Sequence, residues 1–157
     1  MDDQLIELCG RHRLTESLLG AGLEVAFPAC DRGIDLIAYA DIDLRLERFI
    51  AAPIQMKAAS EACFSIDKKY SKFHDMLIAY VWKVSEPART QIYVLTQQEA
   101  VDIATEMKYT GTESWIGKGV YVVTRPGRGL VERLRPYEVS REKWQQKILR
   151  RVGGVEL

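Results

Sequence analysis

Three polar residues stand beside apolar neighbours in a pattern that could do chemistry. Asp35 lies in Gly-Ile-Asp-Leu-Ile-Ala at 33–38, and Gln55 and Lys57 lie in Ile-Gln-Met-Lys at 54–57. Side chains two residues apart on a strand share a face, so Gln55 and Lys57 project together. A hairpin joining their strand to that of Asp35 would bring a carboxylate, an amide oxygen and an ammonium to one point. That grouping suits phosphodiester hydrolysis, in which a hard cation held by oxygen ligands polarises a phosphoryl oxygen and acidifies its bound water. Asp35 would be the charged ligand and Gln55 a neutral, weaker one. Lys57 would orient the attacking water or stabilise charge on the pentavalent phosphorus. A structural ion pair between Asp35 and Lys57 is the competing reading, disfavoured by the cost of desolvating two charges at the end of apolar strands.

The elements that must position these residues follow from periodicity. Residues 2–20 place Leu5, Leu8, Cys9, Leu14, Leu18 and Leu19 at spacings of three and four, which predicts an amphipathic helix favoured at its start by Asp2 and Asp3. Gly20-Ala21-Gly22 can end it. Strands are expected at 23–28, 33–40 and 49–57, with Pro53 marking an edge or a strand start. Residues 65–74 read as a short helix or loop, 76–83 and 91–96 as two more strands, and 97–107 as a helix capped by Thr96. A polar stretch at 109–119, a strand at 120–124, a glycine-rich turn at 125–129 and a terminal helix at 140–151 complete the chain. Trp82 and Trp144 are expected in the core; Trp115 could be an exposed stacking platform, but packing is preferred. The expected class is α/β with a mixed sheet, in a single domain of 1–157 whose core is 1–107 and whose basic extension is 108–157.

Gly-Ile-Asp-Leu-Ile-Ala followed by Ile-Gln-Met-Lys resembles the (P)D…(D/E/Q)xK signature of the PD-(D/E)XK nucleases. The Gln variant is similar to that of Mrr-like restriction enzymes and compact homing endonucleases, and the spacing from Gly22 to Asp35 resembles archaeal Holliday-junction resolvases. The resemblance covers roughly residues 1–60. It implies a restriction-endonuclease-like α-β-β-β-α-β core with helices flanking a mixed sheet and a C-terminal α/β extension. It implies Mg²⁺, replaceable by Mn²⁺, as cofactor, DNA as substrate, and a homodimer or higher symmetric oligomer for cutting both strands. Such enzymes also draw a glutamate from the first helix. The resolvase-like position falls on Arg11, which cannot bind a metal; Glu7 lies one turn earlier on the same face and is preferred over Glu16, which lies one to two turns later. Asp31 could bind a second cation or cap its turn, the turn role being favoured.

Charge is balanced over the whole chain, at 22 Lys/Arg against 22 Asp/Glu, but not along it: residues 1–66 carry −5 and residues 108–157 carry +6. An acidic half could gather a cation and a basic tail could touch phosphates, against the simpler reading of a solvated surface. Lys68, Lys69, Lys72 and His74 follow the motif where a nucleic-acid backbone would pass, or form an ordinary basic face. Cys9, Cys30 and Cys63 lack metal-ligand spacing and read as buried thiols, and a catalytic cysteine would need His12 or His74 beside it. The opening Met-Asp-Asp-Gln lacks the features of a secretory signal and no apolar run approaches a membrane span, so a cytoplasmic location and no membrane partner are expected. A metal-dependent DNA endonuclease is therefore the leading expectation. The alternatives are a non-catalytic relative that binds nucleic acid or protein, and an RNA-processing nuclease.

Overall fold

The computed structural model describes residues 2–30, 32–40 and 49–149. Helix α1 (Asp3–Gly20) opens where the Asp2 carboxylate accepts the Leu5 N–H at 2.8 Å, and it closes before Gly22, whose φ of +79° suits a residue without a Cβ. Strands β1 (Leu23–Ala26), β2 (Leu36–Ala40) and β3 (Ala51–Ala59) follow. Next come β4 (Phe64–Asp67), β5 (Leu77–Trp82), β6 (Gln91–Thr96) and helix α2 (Gln97–Glu106). The chain continues through β7 (Val120–Val123), α3 (Arg128–Leu134) and α4 (Arg141–Leu149).

Five strands form one mixed sheet in the order β1-β2-β3-β5-β6, in which only β3 and β5 run parallel. The α/β class and mixed sheet expected from the sequence are present. Strand β5, Leu-Ile-Ala-Tyr-Val-Trp, is buried on both faces, as its unbroken apolar run requires. Leu77, Ala79 and Val81 face a core shared with α1 and α4; Ile78, Tyr80 and Trp82 face a second core shared with α2, α3 and the small β4-β7 sheet. Among the described residues no helix is long and apolar enough to cross a membrane.

Several local expectations are corrected. The connection at 65–74 contains no α-helix: it holds β4 and a single 3₁₀ turn, Lys68–Tyr70, so the helix implied between the third strand and its parallel neighbour is absent there. Strand β4 pairs with β7, a partner that local periodicity does not reveal. The turn expected at 125–129 runs into helix α3. Pro53 sits in a central strand rather than an edge, as the third residue of β3. It precedes the ladder to β5, which begins at Ile54↔Leu77, so its missing N–H deprives no neighbour.

The buried stripe of α1 is Gly10, Leu14 and Leu18, while Leu5, Leu8 and Leu19 are exposed. Spacings of three and four admit more than one stripe, and the close approach at Gly10 selects this one. A Cβ built on Gly10 would stand 2.5 Å from the Ala58 Cβ and 3.2 Å from the Met56 Sδ. Some described residues beyond 107 also enter the cores: Trp144 and Ile148 are fully buried, and the Trp144 indole N–H donates to the Ser17 hydroxyl at 2.8 Å. Trp82 is buried as expected, and Trp115 is buried rather than a stacking platform. Cys30 is exposed and Cys9 and Cys63 are only partly buried, against the expectation of three buried thiols.

Candidate active site

The site forms where β2 and β3 part. Their antiparallel ladder runs from Tyr39↔Ala51 to Leu36↔Ile54 and is extended by the Asp35 N–H, which donates to the Ile54 carbonyl at 3.0 Å. Beyond that bond β2 leaves, and the edge of β3 from Met56 onward borders a cleft of about 480 Å³. Glu7, Asp35, Gln55 and Lys57 all line it. Because the cleft lies at an open strand edge, it is reached from both faces of the sheet. Glu7 comes from α1 on one side, and Gln55 and Lys57 from the side of β3 that carries Ile78 and Tyr80 on β5.

Asp35 is 8% exposed, and its Oδ2 accepts two N–H groups, the Met56 backbone at 2.6 Å and the Gln55 Nε2 at 2.6 Å. These donors compensate a carboxylate that burial alone would disfavour. The Gln55 amide also donates to the Met56 carbonyl at 3.1 Å, while its Oε1 is buried with no hydrogen-bond partner. Gly33, at φ +91°, lies alongside; a Cβ there would come within 4.0 Å of that orphaned oxygen. The Lys57 ammonium donates to the Tyr70 hydroxyl at 3.4 Å and stands 5.3 Å from the centre of its ring.

Glu7 is half exposed and pairs with Arg11 at 2.8 Å, one turn along α1. Glu16 does not reach the cleft: it pairs with Arg13 at 3.4 Å and borders a different hollow beside Pro87 and Ile92. Nine residues separate the two glutamates, about two and a half helical turns, so they leave the helix on opposite sides. Asp31 lies outside the described residues. Lys69 and Lys72 border a neighbouring hollow, Lys68 covers the Trp115 ring at 5.1 Å, and His74 borders a third hollow with Thr96 and Gln97. None of these four lines the cleft itself.

Among the described residues no three His, Cys, Asp or Glu side chains gather closely enough to hold a metal. The oxygen donors at hand are the Asp35 carboxylate and the Gln55 amide, with Glu7 across the cleft. That set fits Mg²⁺, which keeps several waters and takes one or two protein carboxylates together with substrate phosphates. The Gln55 Oε1, a buried acceptor without a donor, could serve such a cation only after the amide turns, because Nε2 now faces Asp35. Burial pushes the Cys63 thiol up, which outweighs the opposing charge of Lys57 and works against a thiolate nucleophile.

Tyr70 is a part of the site that the sequence does not announce. It reaches Lys57 from the far end of β4, and no spacing points to it. Arg11, which the sequence sets one turn beyond Glu7 on the same face, pairs with it. Comparison with protein-family models, with curated proteins and with solved structures finds no match for this chain.

Proposed function

We propose that the chain is a metal-dependent endonuclease of the restriction-endonuclease-like, PD-(D/E)XK type that hydrolyses phosphodiester bonds in DNA. The observation that carries this reading is the convergence of Asp35, Gln55, Lys57 and Glu7 on one cleft at the parting of β2 and β3. Asp35 and Gln55 would hold Mg²⁺ or Mn²⁺, with Glu7 joining once it leaves Arg11. The bound cation supplies charge at the phosphoryl oxygen and an acidified water. Lys57 lines the cleft with its ammonium steadied by the Tyr70 hydroxyl, and would orient the incoming water or offset charge on the phosphorus. A homodimer or higher symmetric assembly would let two such sites act on both strands.

Incubating the purified chain with duplex DNA, single-stranded DNA and structured RNA under Mg²⁺ or Mn²⁺ tests the proposal. Cleavage of DNA is expected. Cleavage of RNA alone would move the assignment to an RNA-processing nuclease.

Two observations favour a second reading, a non-catalytic relative that binds nucleic acid or protein. Glu7 is occupied by Arg11, and the residue beside Asp35 is an amide rather than a carboxylate. Calorimetric titration with Mg²⁺ or Mn²⁺ separates the two, because cation binding that vanishes in Asp35→Asn belongs only to the first.

A further inference from the structure

A second hollow, of about 390 Å³, adjoins the cleft across two residues. Gly33 borders the hollow and lies against the Gln55 amide on the cleft side. Tyr70 borders the hollow, and its hydroxyl accepts from the Lys57 ammonium. Ile34, Pro53 and Met76 give the hollow an apolar lining together with the buried Tyr70, and Phe73 adds an exposed aromatic ring. Its charged members are all cations: Arg32, Lys69 and Lys72, with no acidic side chain among the lining residues. Lys69 stands 4.8 Å from the centre of the Tyr70 ring and Lys72 stands 5.1 Å from that of Phe73.

An apolar wall with an exposed ring such as Phe73 accepts the flat face of a nucleobase whatever its identity, and a cationic margin accepts the phosphates on either side of it. The volume falls within the roughly 300–1,000 Å³ of small-ligand sites, large enough for one base. We propose that this hollow receives a single unstacked base next to the scissile phosphate, so that the preferred substrate is DNA carrying an unpaired nucleotide at the cut site. This inference rests on the nuclease reading of the adjoining cleft. A base inside a regular duplex cannot enter a recessed site without leaving its stack, and the cost of leaving is least where it is already unpaired. The hollow therefore selects for damaged, mismatched, bulged or branched DNA rather than for a sequence.

The test compares two fluorescent duplexes that share every phosphate, one with a single-nucleotide bulge bearing its base and one with a tetrahydrofuran abasic residue there. Affinities are read by fluorescence anisotropy with the full chain, in EDTA and again in Ca²⁺. The base-bearing duplex is expected to bind roughly tenfold more tightly. Phe73, half exposed and so replaceable without unfolding the chain, is the residue to vary. Phe73→Ala should bring the two affinities within about twofold, and Phe73→Trp should preserve the gap. Equal affinities in the wild-type chain overturn the base-binding hollow and leave the nuclease reading standing. Failure to bind either duplex under both conditions overturns both.

Discussion

The Gln55 amide donates Nε2 to the Asp35 carboxylate across 2.6 Å, and this contact leaves its own Oε1 buried without a partner. A cation shared by the two side chains would need the amide oxygen, not the nitrogen, beside the carboxylate. Gln55→Glu tests that requirement. Two carboxylates at this distance repel, which raises the folded-state pKa of the pair above its unfolded value. The variant's folded state then holds its proton more tightly than the unfolded state, so its stability deficit is small at low pH and grows as pH rises through the carboxylate range. Thermal melts in EDTA at about pH 5 and about pH 8 should show a widening gap from the wild type. Mg²⁺ should close the gap and bind roughly tenfold more tightly than to the wild type, since an added ligand charge strengthens a hard-cation site.

Asp35 has a structural duty as well as a proposed chemical one, and two substitutions separate them. Asn keeps an oxygen for the Met56 N–H, so Asp35→Asn should lose cation binding in calorimetry while staying within about 1 kcal/mol of wild-type stability. Ala leaves that N–H without its acceptor, and Asp35→Ala should cost about 1–3 kcal/mol in denaturant unfolding.

Glu7 and Glu16 make a matched pair of variants because each sits in one exposed ion pair on the same helix. Such pairs contribute about 0.3–0.5 kcal/mol, so neither Glu7→Gln nor Glu16→Gln should alter stability measurably. Only Glu7→Gln should weaken Mg²⁺ binding. Equal effects from both would remove Glu7 from the site.

The strand-borne half of the site was legible in the sequence because strand geometry is nearly local. Residues i and i+2 share a face, so Gln55 and Lys57 could be paired on paper, and the adjacent strand of Asp35 needed only a hairpin to meet them. The helix-borne half was less so. The face that α1 turns to the sheet is decided by the contact of Gly10 with Ala58, two residues far apart in sequence. Periodicity alone groups the buried Leu14 and Leu18 with Leu5, Leu8 and Leu19, which are exposed. Tyr70 was invisible as a site residue for a similar reason. The segment before it is held by the pairing of β4 with β7, whose register Phe64↔Val123 joins remote parts of the chain.

That contact carries its own prediction. Within an exposed helix Gly→Ala normally gains about 1 kcal/mol, yet at Gly10 the new methyl would overlap Ala58, and overpacking costs about 1–3 kcal/mol. Gly10→Ala should therefore destabilise the chain and displace Glu7 from the cleft. Adding Ala58→Gly should restore much of the loss, a coupling that chemical denaturation of the four-member mutant cycle reads directly.

The most direct test of the central claim is nicking of supercoiled plasmid by the purified chain in Mg²⁺ or Mn²⁺, alongside Lys57→Ala. Removing a group that stabilises charge in a transition state costs roughly 10²–10³ in rate. Nicking by the wild type that falls by at least that factor in the variant is the predicted result. A wild-type chain that binds DNA and leaves it uncut under both metals, or a variant that nicks as fast as the wild type, would contradict it.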